Sequence, residues 1–172
     1  YATYNNKILG IGYQLGLRSE YFMRSIDIDT EPEAIDYNKF MFYPSLHFSK
    51  DFNEKNQMQL SYSRRINRPQ PWLLNNTPQY IDPRNIFKGS PYLIPEYTDA
   101  FELNYRTMIK KVKISIQTYY RNTSNSFVAI RSMGDDGIMY HQLANSENQQ
   151  SAGMEFGFDF GLFKWWQVNT NM

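Results

Sequence analysis

The feature that most constrains this chain is a side-chain alternation of period two that recurs in segment after segment. From Leu9 the sequence reads LGIGYQLGLRSEYF. Leu9, Ile11, Tyr13, Leu15 and Leu17 share one parity, while Gly10, Gly12, Gln14, Gly16, Arg18 and Glu20 share the other. Extended backbone sends successive side chains to opposite faces, so this pattern predicts a strand with one apolar and one polar or small face. A slip of one residue would exchange the faces, so the register is strongly specified. The same rhythm sets Phe42, Pro44, Leu46 and Phe48 against Tyr43, Ser45, His47 and Ser49. It sets Met58, Leu60 and Tyr62 against Gln57, Gln59, Ser61 and Ser63, and Phe101, Leu103 and Tyr105 against Glu102, Asn104 and Arg106. Val112, Ile114 and Ile116 oppose Lys113, Ser115 and Gln117; Met154, Phe156, Phe158 and Phe160 oppose Glu155, Gly157, Asp159 and Gly161.

Composition decides what surrounds the apolar faces. The chain holds 14 Tyr, 12 Phe and 3 Trp, yet only 41% of its residues are hydrophobic. No stretch approaches the ~20 apolar residues of a transmembrane helix. Abundant aromatics without a hydrophobic average are awkward for a soluble core. They suit a barrel whose strands meet lipid on one face only. The fold class expected is all-β, an antiparallel transmembrane β-barrel segment spanning residues 1–172.

The connections reinforce this. Short bends fall at about 5–7, 51–56, 109–111 and 162–164; long ones at about 29–38, 67–97 and 122–150. They alternate strictly. Outer-membrane barrels have short periplasmic turns and long extracellular loops, so the alternation assigns the short bends to the periplasm and the long ones to the exterior. Six of the eight prolines lie between Asn67 and Tyr97. Proline removes a ladder donor, so that stretch is expected to be loop. Phe163, Trp165 and Trp166 at one end, with Tyr21, Phe22, Tyr119 and Tyr120 at the other, sit where aromatic girdles belong.

Six full strands and two partial ones are visible. An open edge in lipid leaves backbone groups unpaired, so the chain is expected to be part of a longer barrel. No signal peptide opens it, which predicts a mature form or an internal piece. A formal net charge of +1 with scattered basic residues gives no footprint for nucleic acid. The absence of cysteine removes disulfides and thiolate metal sites. His47 and His141 lie on separate segments, and Asp27, Asp29, Asp135 and Asp136 form only pairs, so no metal site or cofactor is expected. Neither a Gly-x-Ser-x-Gly motif nor a phosphate-binding glycine loop is present, which argues against an enzyme.

Within this frame, YPSLHFSK from Tyr43, SYSRRINRP from Ser61, and KGSPYLIPEYTDAFELNY from Lys88 resemble TonB-dependent outer-membrane receptors. They are most similar to the barrel family common in Bacteroidetes and related to the SusC-like transporters. The matching features are Tyr43-Pro44-Ser45, Tyr62-Ser63-Arg64-Arg65, Arg68-Pro69, and Gly89-Ser90-Pro91 followed by Leu93, Pro95 and Glu96. Ser90 departs from the family's usual Asn. GMEFGFDFGLFKWW from Gly153 resembles a later strand–turn–strand of the same barrels. The resemblance implies a barrel of about 22 strands in the outer membrane, surrounded by lipid and closed by an N-terminal plug. It implies energisation through TonB, uptake of a nutrient, and a possible surface lipoprotein partner.

Two groups of candidate residues follow. Gln14, Arg18, Glu20, Gln59, Arg65, Glu102, Asn104, Arg106, Gln117, Glu155 and Asp159 are expected to face the lumen. Their charges read either as a channel wall or as a ladder of pairs holding strands together. Arg68, Trp72, Tyr80, Arg84 and Tyr92 in the long central loop offer aromatic platforms and donors for a polar ligand, since loops carry function more often than scaffolds do. The alternative is a self-packed loop stiffened by Pro83, Pro91 and Pro95. At the level of the whole protein the expectation is a receptor that takes up a nutrient. The alternatives are a structural barrel subunit without transport and a soluble aromatic-rich carbohydrate-binding domain.

Overall fold

The computed structural model describes residues 1–28, 33–163 and 166–171. In chain order the elements begin with β1 (Ala2–Ile8), β2 (Ile11–Ile26), β3 (Ile35–Asn53) and β4 (Asn56–Asn67). A one-turn helix α1 (Pro71–Leu74) precedes β5 (Gln79–Asp82), β6 (Asn85–Lys88), β7 (Glu96–Ile109) and β8 (Val112–Ser124). Then come β9 (Phe127–Met133), β10 (Met139–Asn145), β11 (Asn148–Phe163) and β12 (Trp166–Asn171).

Eight strands form one antiparallel sheet in the order β1-β2-β3-β4-β7-β8-β11-β12. β2 runs for 16 residues and β3 for 19. A tilted strand needs about 9–11 residues to cross a bilayer, so these strands project beyond it. The register lines up the alternating faces across the whole sheet. On the apolar face Leu46, Tyr62, Phe101 and Tyr120 form one row, and Phe48, Leu60 and Leu103 form the next. Leu60 and Phe101 each remain 46% exposed. Apolar side chains arrayed in rows and left uncovered need an apolar solvent.

The two-residue turns differ in place from the expectation. Asn5–Lys7 belongs to β1, and the turn is at Leu9–Gly10. Leu9 and Gly10 both have positive φ, 51° and 77°, the conformation of a tight hairpin whose twist matches its strands. Leu9 is therefore a turn residue and not the first position of β2. The 51–56 bend contracts to Glu54–Lys55 after an irregular pair at Asp51 and Asn53. Lys110–Lys111 closes β7 onto β8 with Lys110 at φ 56°. Leu162 and Phe163 continue β11, while Lys164 lies outside the described residues.

On the opposite side, residues 35–38 extend β3, and 29–32 lie outside the described residues. β8 runs on to Ser124 and β11 begins at Asn148, so the 122–150 connection is shorter than expected. The connections at 67–97 and 122–150 are not structureless. They supply a second sheet, ordered β5-β6-β10-β9, in which β6 and β10 pair in parallel. Prolines 69, 71, 78, 83, 91 and 95 all fall outside β5 and β6, so the missing donors interrupt turns and leave the short ladders intact. Leu73, Ile86, Leu93 and Pro95 are buried and form the core of this loop unit.

Pro44 marks a second break. β3 pairs with β4 only from Ser45 opposite Ser63 downward. Beyond that point β3 pairs with β2 alone, and β4 pairs with β7 alone. The missing donor of Pro44 thus falls where the two strands part.

Candidate functional site

The polar face of the large sheet and the loop unit above it contain every candidate residue. Register places Gln14, Arg18 and Glu20 of β2, Gln59 and Arg65 of β4, Glu102, Asn104 and Arg106 of β7, Gln117 of β8, and Glu155 and Asp159 of β11 on one face. Gln59, Asn104, Gln117 and Glu155 are direct neighbours in a single row. His47 stands beside Gln14 and Ser61 in the next. Glycines keep this face open to its larger side chains: a Cβ on Gly153 would lie 2.5 Å from the Tyr119 ring.

Some of the charges are paired. Asp159 lies 3.7 Å from Lys113, and Glu102 lies 3.8 Å from Arg121. Glu20 takes Arg18 at 3.6 Å and also binds Arg68. Arg65, Arg106 and Glu155 make no ion pair among the described residues. Near the loop end aromatic rings join the charges. The Arg18 guanidinium lies 4.5 Å from the Tyr43 ring centre, and Arg68 lies 4.8 Å from that of Phe22. Phe22 therefore belongs to the polar face, as does Tyr119, which carries Arg121 at 4.6 Å. Consecutive residues on a strand cannot both face lipid, so of the four expected girdle residues at this end only Tyr21 and Tyr120 share the apolar face. The side chains of Phe163, Trp165 and Trp166 lie outside the described residues.

The five loop candidates separate. Arg68 is drawn down onto Glu20 at the polar face. Trp72 packs on Phe87 at 5.5 Å and donates its indole N–H to Gln70 at 2.7 Å, yet stays 52% exposed. Tyr80 and Tyr92 are 73% and 63% exposed, and Arg84 is exposed at the β5–β6 turn. Between them the resemblance segment packs tightly. The amide of Ser90 donates to the Leu73 carbonyl at 2.7 Å, and a Cβ at Gly89 would meet that carbonyl oxygen at 2.6 Å. Glycine is required there because backbone passes backbone.

Two residues that sequence reasoning passed over hold this unit in place. Arg24 of β2 donates to the carbonyls of Leu93 at 2.9 Å and Pro91 at 3.2 Å. Its even parity continues the series Arg18, Glu20, Phe22, which was a usable signal. Asn145 of β10 accepts from the Ile94 amide and donates to the Ile94 carbonyl, both at 2.9 Å, and donates to the Asn125 carbonyl at 2.7 Å. Nothing in its sequence surroundings announces that role. In the β9–β10 turn, Asp136 accepts from the Ile138 amide and the Tyr140 hydroxyl, each at 2.9 Å. These bonds, the amide first, hold its carboxyl below the usual carboxylate range. The Arg84 amide and Asn85 side chain do the same for Asp82.

The apolar face changes chemistry toward the loops. Above the row of Leu46, Tyr62, Phe101 and Tyr120 comes a polar row of Arg64, Asp99, Asn122 and Gln150. Arg64 binds Asp99 through two parallel bonds, 2.9 Å from Nε and 2.7 Å from Nη2. Apolar rows, an aromatic row and then a charged row reproduce the profile of a membrane boundary.

Long staggered antiparallel strands, one face for lipid and one for polar groups, two-residue turns at one end and structured connections at the other define a stretch of outer-membrane β-barrel wall. The chain belongs to the outer membrane protein β-barrel family, which it matches over residues 1–172. Its place is the bacterial outer membrane. Solved structures share the fold at low identity. The Serratia marcescens hemophore receptor HasR, in complex with its hemophore HasA and heme, aligns at a TM-score of 0.63 and 11% identity over 88% of this chain and 28% of that one. The siderophore receptor PirA from Pseudomonas aeruginosa aligns at 0.67 and 17% identity over 94% and 33%. The copper transporter OprC aligns at 0.72 and 12% identity over 96% and 26%. The chain thus spans a quarter to a third of the length of these proteins. No curated protein sequence matches it.

Proposed function

We propose that this chain is part of the barrel of a TonB-dependent receptor that takes up a nutrient, of the type common in Bacteroidetes and related to the SusC-like transporters. The short turns lie in the periplasm and the structured connections outside the cell. Gln14, Arg18, Glu20, Gln59, Arg65, Glu102, Asn104, Arg106, Gln117, Glu155 and Asp159 face a lumen occupied by a plug. Trp72, Tyr80, Arg84 and Tyr92 meet ligand at the external surface, and Arg68 braces the mouth through Glu20. TonB supplies the energy and a surface lipoprotein is a further partner. The observation that carries this reading is the unbroken polar face from β2 to β11, part of it free of ion pairs, behind a face matched to lipid. The likeness to structures described as receptors for a hemophore and a siderophore, and as a copper transporter, supports it.

The test is growth of the source cells on panels of glycans, peptides and metal complexes, with this gene and the TonB gene deleted separately and together. The reading expects loss of growth on one nutrient class in either single deletion and no further loss in the double. Uptake that survives TonB deletion, or that persists after the plug is removed from the full-length protein, overturns it. A double variant Y80A/Y92A is expected to weaken ligand binding while leaving the barrel folded.

A further inference from the structure

The polar face is divided where β3 and β4 part. Ser45 opposite Ser63 is the last pair of that ladder. The next polar-face positions are Tyr43 on β3 and Arg65 on β4, on the two sides of the opening, and Arg18 of β2 is the register partner of Tyr43. A cavity of about 430 Å³ lies there. Arg18, Tyr43, Ser45, Ser63 and Arg65 line it from the polar face; Tyr1, Pro44, Arg64 and Ile66 complete the wall, and no carboxylate lines it. Its volume falls within the roughly 300–1,000 Å³ of small-molecule sites. Charge is spread unevenly along the same face. Above the Ser45–Ser63 pair it holds Arg18, Arg24, Lys39, Arg65 and Arg68 against Glu20 and Glu96. Glu20 is shared by Arg18 and Arg68, while Glu96 accepts from the Asn67 side chain and the Phe127 amide. Arg24 meets backbone carbonyls and the Tyr37 ring, and Lys39 and Arg65 make no ion pair among the described residues. From that pair down, Asp51, Glu102, Glu155 and Asp159 are matched by Lys7, Arg106, Lys113 and Arg121. The excess of positive charge is therefore confined to the end that carries the cavity.

We propose that this cavity binds a small organic anion, a nutrient that carries a phosphate or carboxylate group. It rests on the receptor reading and narrows the ligand of that receptor. Arg65 and Arg18 hold the oxyanion from the two sides of Tyr43, and the hydroxyls of Ser45 and Ser63 donate to it from below. The uncharged part of the ligand occupies the rest of the cavity. Charge complementarity selects the occupant. A neutral glycan offers the guanidinium groups no counter-charge, and a bare metal cation is repelled by them. Guanidinium–oxyanion contacts are the strong, geometrically selective ones among protein hydrogen bonds. An excess of one sign of charge along a low-dielectric wall also concentrates the opposite ion, which raises association rates by about 10–10³. The cations above the cavity thus draw an anion toward it.

The experiment is calorimetric titration of the full-length protein, in neutral detergent at low salt, with glucose 6-phosphate and separately with glucose. The two probes differ by one phosphate. The expected result is one glucose 6-phosphate bound per barrel, with glucose at least about tenfold weaker, the ratio expected from losing a charge-assisted contact. R65Q should weaken glucose 6-phosphate by a similar factor, and R65K should recover part of the loss. Arg65 is exposed and makes no ion pair among the described residues, so its removal leaves the bonds of the wall intact. K7Q removes one charge from the far end of the same face and should leave the affinity unchanged. Absence of binding, equal affinity for glucose, or a loss in K7Q equal to that in R65Q would each overturn the proposal. So would equal affinity for inorganic phosphate, which marks a site for the free ion. Indifference to R65Q would overturn it as well, by showing Arg65 held by a carboxylate elsewhere in the protein. The titration needs no TonB, so its failure leaves the receptor reading standing. Growth that survives TonB deletion would in turn leave a measured anion site in place.

Discussion

At the residue scale the structure rests on side chains whose work is to complete backbone bonding where strands give way to loops. Asn145 is the clearest: three bonds from one amide tie β10 to the buried Leu93–Pro95 segment and to Asn125. Leucine has a similar size and none of those bonds. Asn145→Leu is expected to cost about 2 kcal/mol locally, because the partners lose their bonds without regaining water. Hydrogen exchange at the Ile94 amide should then run roughly thirtyfold faster; an unchanged rate would show that the segment holds itself. The two faces make a sharper contrast. Leu15 and Gln14 are adjacent on β2, yet Leu15→Arg sends a charge to lipid at a cost of about 2–4 kcal/mol if near the midplane. Gln14→Arg adds one to a face that already carries several. Folding yield into lipid vesicles should fall for the first substitution and hold for the second.

Among the elements, the long strands were legible in the sequence and the short ones were not. Period two repeated over ten or more residues leaves no competing assignment for β2, β3, β7 or β11. β5 and β6 have four residues each, too few for a period to register, and β6 finds its second neighbour in β10, more than fifty positions away. Proline count misled for a related reason: it measures how often the chain turns, not whether short ladders fit between the turns. The β1–β2 turn was misplaced because Asn5-Asn6-Lys7 has turn-like polarity, whereas Leu9–Gly10 turns through positive φ. Of the candidate site, the face shared by the eleven polar positions followed from parity alone. The descent of Arg68 onto Glu20 did not, since it depends on how the loop folds. The β9–β10 hairpin carries a pH prediction. The Asp136 carboxyl is held below its unfolded value, so its contribution to hairpin order is full above the ordinary carboxylate range. That contribution is lost as pH falls through the depressed folded value. Exchange protection of the Ile138 amide should fall on acidification in the parent protein, and D136N should flatten that dependence.

For the molecule as a whole, sidedness is the property on which the functional reading turns. This chain contains no cysteine, so once any cysteine elsewhere in the full-length protein is replaced by serine, a single introduced thiol reports its own location. Asp135→Cys at the tip between β9 and β10 should react with a membrane-impermeant maleimide on intact cells. Lys110→Cys in the β7–β8 turn should react only after the outer membrane is opened. The reverse pattern would invert the barrel and remove Trp72, Tyr80, Arg84 and Tyr92 from the cell surface.

The parallel ladder between β6 and β10 has a consequence for how such a wall is assembled and kept. Every described strand pair in the large sheet joins neighbours in its own sequence, apart from the loop excursions, so those staves can be laid down in order. The ladder from Asn85–Lys88 to Met139–Gln142 cannot close until β7 and β8 have passed between its halves. It is a clasp fastened after the staves are set, and it holds two exposed connections by each other. A protease that cuts one of them at the surface meets a seam with a second attachment, so the cut ends stay where they were.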